Sequence, residues 1–223
     1  MANLLKFINN TKFKKFFILV ILLGIYIFIS ASSYVTAVSK ELENNLFRLH
    51  VIANSDSKED QDLKYLVRDA LISYMNSISM DCTTKEEIIN IAQNHMDDFY
   101  NIATETIQNN GYNYNVQIEI GNFEFPTKKY GDISLPCGYY DALRVKIGNA
   151  SGQNWWCVMF PPLCFVDIST GIVPEESKEL LSNNLSDEEY SLISSNTDEV
   201  KFKFKIVEFF KNNNLFTAKN DEK

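Results

Sequence analysis

The sequence predicts an α+β domain, a mainly antiparallel sheet packed on a helix pair, behind an N-terminal hydrophobic signal or anchor helix. Three observations carry that expectation. Residues 16–29 are apolar but for Gly24 and Tyr26, and Lys6, Lys12, Lys14 and Lys15 precede them. Between residues 57 and 110 apolar residues recur at three-four spacing, which buries one stripe of a helix. Elsewhere the period is two, most cleanly where Tyr112, Tyr114, Val116, Ile118 and Ile120 alternate with polar residues, and that is the period of a strand with one dry face.

A basic n-region followed by an apolar h-region is the pattern of an export leader. Fourteen apolar residues fall short of the ~20 that a span needs, while the uncharged stretch continues to Val38, so a cleaved signal and a retained single anchor both fit. Small residues at Val35, Thr36 and Ala37 place the expected cleavage after Ala37. Positive charge upstream keeps the first residues inside, which puts everything from Lys40 onward outside the cytoplasm. The expected domains are 1–38 as leader or membrane anchor, 39–210 as one extracytoplasmic domain, and 211–223 as a polar disordered tail.

The charge balance narrows the partners. The chain of 223 residues carries a net charge of -8, and without the four lysines ahead of Ala37 it keeps 17 basic against 29 acidic side chains, a net of -12. Nucleic acid is excluded as an expected partner on that ground. No Gly/Ser or Pro-rich linker divides the chain, and no repeat is evident.

In chain order, Phe47, Leu49 and Val51 alternate with Arg48 and His50, a strand with one dry face. It runs into Asn54, Ser55, Asp56 and Ser57, whose side chains start turns and helices, and Ser57 stands three before Asp60 in a weak capping pattern. The helix that follows buries Leu63, Val67, Leu71, Tyr74 and Ile78. A second opens at Thr83 or Thr84 and runs to Asn109, with Gly111 as its left-handed stop. His95 lies on its apolar stripe, where a hydrogen-bonded, partly buried imidazole is expected ahead of a metal ligand, since His50 is the only other histidine.

After the strand at 112–120, Gly121 and Asn122 suggest a bulge or tight turn before Phe123 and Phe125. Turn formers fill 126–138, a strand follows at 139–147, and residues 148–152 read as a hairpin connection into a strand holding Trp155 and Trp156. Residues 153–167 hold both tryptophans, Cys157, Cys164 and the pair Pro161 and Pro162, which reads as two buried arms joined at the prolines. A tight turn there leaves the cysteines diagonal, about 7 Å apart, long for a disulfide; a wider loop over 158–163 sets them opposite. The bridge is allowed and export favours it. Cys82 and Cys137 either pair or stay reduced. Ser186 to Glu189 looks like a helix cap, and residues 200–210 fit strand and helix equally.

No nucleophile elbow, phosphate loop or metal-binding spacing occurs, so no catalytic, cofactor or metal residue is assigned. Asp167 is followed by Ile168, whereas an aspartic protease needs Asp directly before Thr or Ser and Gly. A thiol nucleophile built from Cys137 with His50 or His95 stays open as an alternative.

Two long stretches then carry a resemblance. Residues 47–57 (FRLHVIANSDS) with Glu59, Asp60, Gln61, Lys64, Val67, Arg68 and Asp69 form the first. Leu135 and Pro136, the strand at Arg144 and Val145, and residues 153–167 (QNWWCVMFPPLCFVD) form the second. Together they resemble the stage II sporulation protein R family, departing at Cys137, where the family often has a small residue. The resemblance implies a non-enzymatic intercellular signal. Such a protein is made in the forespore and exported into the space between the two cells. There it activates a membrane-bound sporulation aspartic protease of the mother cell, which processes pro-sigma-E. On that reading the candidate receptor contacts are Asn54, Ser55, Asp56, Ser57 and Asp60 in the turn, and Trp155 and Trp156 on the strand, at least one of which must also pack inward. An exported thiol hydrolase and a wall- or septum-associated structural protein are the competing readings.

Overall fold

The computed structural model describes residues 11–80, 82–164, 173 and 175–194. Asp167 and residues 200–223 lie outside them, as does the second arm beyond Cys164, so the expectations for those positions are not addressed by the fold.

Helix α1 (Thr11–Asn45) joins the apolar leader to the domain without a break. Its leader half is bare: Phe16, Leu19 and Tyr26 are 63%, 64% and 69% exposed. Its last two turns are not, because Ser39, Leu42 and Glu43 are buried against the domain, as is Leu46 just after it. Among the described residues no helix is long and apolar enough to cross a membrane. The anchor helix allowed by the sequence is not found among them.

Strand β1 (Phe47–Ile52) leads into α2 (Lys58–Ile78), α3 (Lys85–Asn94) and α4 (Met96–Asn109). Then come β2 (Val116–Phe125), β3 (Lys128–Tyr130), β4 (Ile133–Leu135), β5 (Gly138–Ile147), β6 (Asn154–Phe160), α5 (Glu175–Asn184) and α6 (Asp187–Ser194). The helix starts follow the capping rules. Ser57 accepts from the Asp60 N–H, Thr84 and Glu87 form a reciprocal capping box, and Ser186 and Glu189 do the same ahead of α6. Gly111, at φ +84°, closes α4.

The architecture is mixed α+β with a mostly antiparallel sheet, but its topology departs from the sequence reading in several ways. The sheet order is β2-β5-β1-β6; β1 pairs antiparallel with β6 and parallel with β5. Residues 148–153 are therefore no hairpin. They carry the chain past the end of β1, which lies between the two strands they join. β2 runs straight through Gly121, paired with Ala142, because the Phe123 ring fills the space where a side chain would stand. The helix expected over 84–109 breaks at His95, the C-cap of α3 and N-cap of α4. The loop expected at 126–138 contains the β3–β4 ribbon.

Helices also cover both faces of the sheet rather than one. Phe47, Leu49, Val51, Leu143 and Val145 face α2, α3 and α4 through Leu63, Val67, Leu71, Phe99 and Ala103. Tyr140, Ala142, Phe125 and Val158 face the other way, onto Leu42, Leu46, Leu135, Leu181 and Ile193. Arg48 and His50, expected at a wet face, are 0% and 6% exposed.

Candidate functional site

Residues 54–60 form a knot rather than an open turn. Asn54 Nδ2 and Ser55 Oγ both donate to Asp60 Oδ2, at 2.8 and 2.5 Å, while the Asn54 carbonyl accepts from the N–H and hydroxyl of Ser151. Asn54 Oδ1 accepts from Asn149 N–H at 2.9 Å, and Asp56 Oδ1 from Gln153 N–H at 2.7 Å. The crossover thus comes so close that a side chain at Gly148 or Gly152 would strike Asn54 or Ser55. Burial pushes the Asp60 carboxyl up, but hydrogen bonds from Ser55, Asn54, Tyr114 and Ser57 outweigh it and hold the group below the usual carboxylate range. Of the turn candidates Asp56 and Ser57 stay exposed, and Asp60 is buried.

The tryptophans divide between the two faces, as strand alternation requires. Trp155 packs against the helix-side core, with Arg68 Cζ 4.3 Å from its ring centroid and Tyr65 edge-on at 5.5 Å. Trp156 packs against the opposite core, stacked on His50 at 3.7 Å and beside Phe125 at 4.6 Å. Both are only half-buried, and their outer parts line one groove of about 390 Å³. The groove draws Lys64 and Tyr65 from α2, Lys128, Lys129 and Tyr130 from β3, and Gln153 with residues 154–157 of β6. Among the described residues none that line it is acidic.

The end of the groove is fixed by sulfur. Cys157 and Cys164 are bridged, with Cα atoms 5.3 Å apart, and Leu163 N–H donates to the Val158 carbonyl at 3.0 Å. This is the wider of the two loops the spacing allowed. Cys82 and Cys137 are not joined in a disulfide.

Behind the groove lies a buried polar cluster. The Arg48 guanidinium sits 4.1 Å from the Phe125 ring centroid and 4.7 Å from that of Tyr140, and donates to the Tyr130 hydroxyl at 2.7 Å. Tyr130 in turn donates to the Trp156 carbonyl at 3.0 Å. His50 Nε2 meets Asn154 Oδ1 at 2.8 Å, and burial lowers its pKa to about 4 against the Asn154 bond, which raises it. Arg48 Nη1, His50 Nδ1 and Trp155 Nε1 have no hydrogen-bond partner among the described residues.

His95 has the hydrogen-bonded role expected of it, with Tyr74 and Asp98 within 2.8 and 2.7 Å of Nδ1. No group of metal-binding side chains occurs among the described residues. The groove lining includes neither Cys137 nor a histidine, which leaves the thiol-hydrolase reading without support there. Sequence reasoning found the tryptophans but missed Lys64, Tyr65, Lys128 and Tyr130, which come from elements distant in the chain and carry no common spacing.

Comparison with known proteins places these features. The family model described as Stage II sporulation protein R matches residues 43–170, which include the groove, the knot and the bridge. A protein of Bacillus subtilis (strain 168) named Stage II sporulation protein R is 34% identical over 171 residues, covering 71% of this chain and 76% of that protein. No solved structure matches. The chain belongs to the stage II sporulation protein R family and is a sporulation protein.

Proposed function

We propose that this chain is the exported signal of the sporulating cell: made in the forespore, passed across its membrane, and recognised there by the membrane-bound aspartic protease of the mother cell, which then processes pro-sigma-E. Membership of the family, over the part of the chain that holds the groove, is the observation that carries this reading. The basic residues and 14-residue apolar run match the length of an export h-region, and the exposed apolar half of α1 is suited to engaging a bilayer during that passage. The Cys157–Cys164 bridge belongs in an oxidising space. The chain acts by being bound, and the proteolytic chemistry belongs to its receptor. As a ligand it switches the receptor only by binding the active arrangement more tightly, by about 5.5 kcal/mol to go from mostly off to mostly on.

The test is co-expression of the full chain, the protease and pro-sigma-E in cells that make no other sporulation protein. Cleavage of the precursor that depends on the chain, and that stops when residues 1–37 are deleted, is expected. Cleavage that persists without the leader would refute action from outside. A septum-building role instead predicts no cleavage in these cells and a malformed septum in spore formers lacking the chain.

A further inference from the structure

We propose that the groove beside β6 is the docking site for an acidic, extended segment of the protein this chain activates, with carboxylates meeting Lys64 and Lys128 and apolar side chains lying against the exposed edges of Trp155 and Trp156. The inference rests on the activating role proposed above and adds the surface and the chemistry of the partner.

Charge is the first argument. In a chain of net charge -8, the described residues that line this groove include three lysines and no acid. Lys64 is 2% exposed, and its Nζ donates to two neutral oxygens, Gln61 Oε1 at 2.5 Å and Gln153 O at 3.2 Å. Burial and Arg68 push its pKa down while Asp56 opposes them, and among the described residues its bonded partners are these two neutral oxygens. An incoming carboxylate supplies a counter-charge where water is scarce and attraction is strong. Shape is the second argument. Among the described residues β6 ends the sheet, and since Tyr130 takes the Trp156 carbonyl and Leu163 that of Val158, a segment in the groove is held by its side chains rather than by extending the ladder. The two indole rings offer rigid apolar area.

The only two tryptophans of the chain both line the groove, which makes intrinsic fluorescence its reporter. The full chain in neutral detergent micelles is titrated with octaglutamate, with octalysine and with phosphatidylglycerol added to the micelles, alongside the Lys128→Glu/Lys129→Glu double variant. A saturable, salt-sensitive shift with octaglutamate alone, lost in the variant, is expected. No shift with octaglutamate, or a phosphatidylglycerol response that the variant loses, overturns the proposal. In the co-expression assay the double variant should cut pro-sigma-E processing about tenfold or more at unchanged melting temperature, whereas Lys58→Glu, which lies outside the groove in an exposed pair with Asp62, should process like the parent. Processing by the double variant at the parental rate also overturns it. A parent that shifts with octaglutamate yet triggers no cleavage overturns the activating role and leaves the groove's chemistry standing.

Discussion

On one side of β1, Phe47, Leu49 and Val51 enter a core of aliphatic side chains and rings from α2, α3 and α4. On the other, Arg48 and His50 lie beside Phe125, Tyr140 and Trp156 in a core otherwise built of residues such as Leu42, Leu46, Leu135 and Ile193, and Tyr130 links them to the groove. Both faces are dry and largely apolar, but only the second also encloses a guanidinium and an imidazole. Those polar groups are buried at a cost and set the position of Trp156 and the β3 lysines.

The largest effect should separate the two faces directly. Leu49→Ala should cost about 2–5 kcal/mol in urea unfolding, from lost burial plus a cavity. Arg48→Met should stay within about 1 kcal/mol of the parent, since a buried charge exchanged for an apolar chain of similar size loses little. Equal losses at the two positions would break the comparison.

A pH titration sharpens it. His50 is neutral in the fold down to about pH 4, whereas the unfolded chain takes up that proton near 6.5. The stability this supplies is complete above pH 6.5 and is lost as pH falls from 6.5 to 4, by at most about 3 kcal/mol. His50→Phe should flatten the stability curve in that window. An unchanged slope would mean the imidazole is not desolvated. Asp60, held below its ordinary range, loses its contribution only at lower pH, as it protonates.

Next in size is the bridge. Cys157→Ser with Cys164→Ser should cost about 2 kcal/mol by the loop-entropy relation for so short a loop, read as a lower thermal midpoint. It should also loosen the groove, seen as a red shift of tryptophan emission, while Leu49→Ala at a temperature where it stays folded should leave emission unchanged. Smallest is Ser57→Ala, about 1 kcal/mol from a lost N-cap at α2.

How much of this the sequence disclosed follows from how local each feature is. Ser57, Thr84 and Gly111 announce helix ends because capping is decided within four residues. Alternation correctly sends Trp155 and Trp156 to opposite faces. Alternation cannot say that the second face of β1 is buried, because Arg48 looks solvent-facing until Phe125 and Tyr140, more than seventy residues away, enclose it. The parallel pairing of β1 with β5 is hidden for the same reason. Residues 148–152 have the glycines of a hairpin, yet the knot at Asn54, Ser55 and Asp56 holds them as a crossover. The groove was illegible as a site, since its lysines and aromatics come from three separate elements.

The most direct measurement adds the purified full chain to the outer side of sealed vesicles that carry the aspartic protease in its mother-cell orientation, with pro-sigma-E enclosed. The account predicts precursor cleavage inside the vesicles that depends on the added chain and falls sharply with Lys128→Glu/Lys129→Glu. Intact precursor at saturating chain, with the protease shown to be competent by other means, would contradict it.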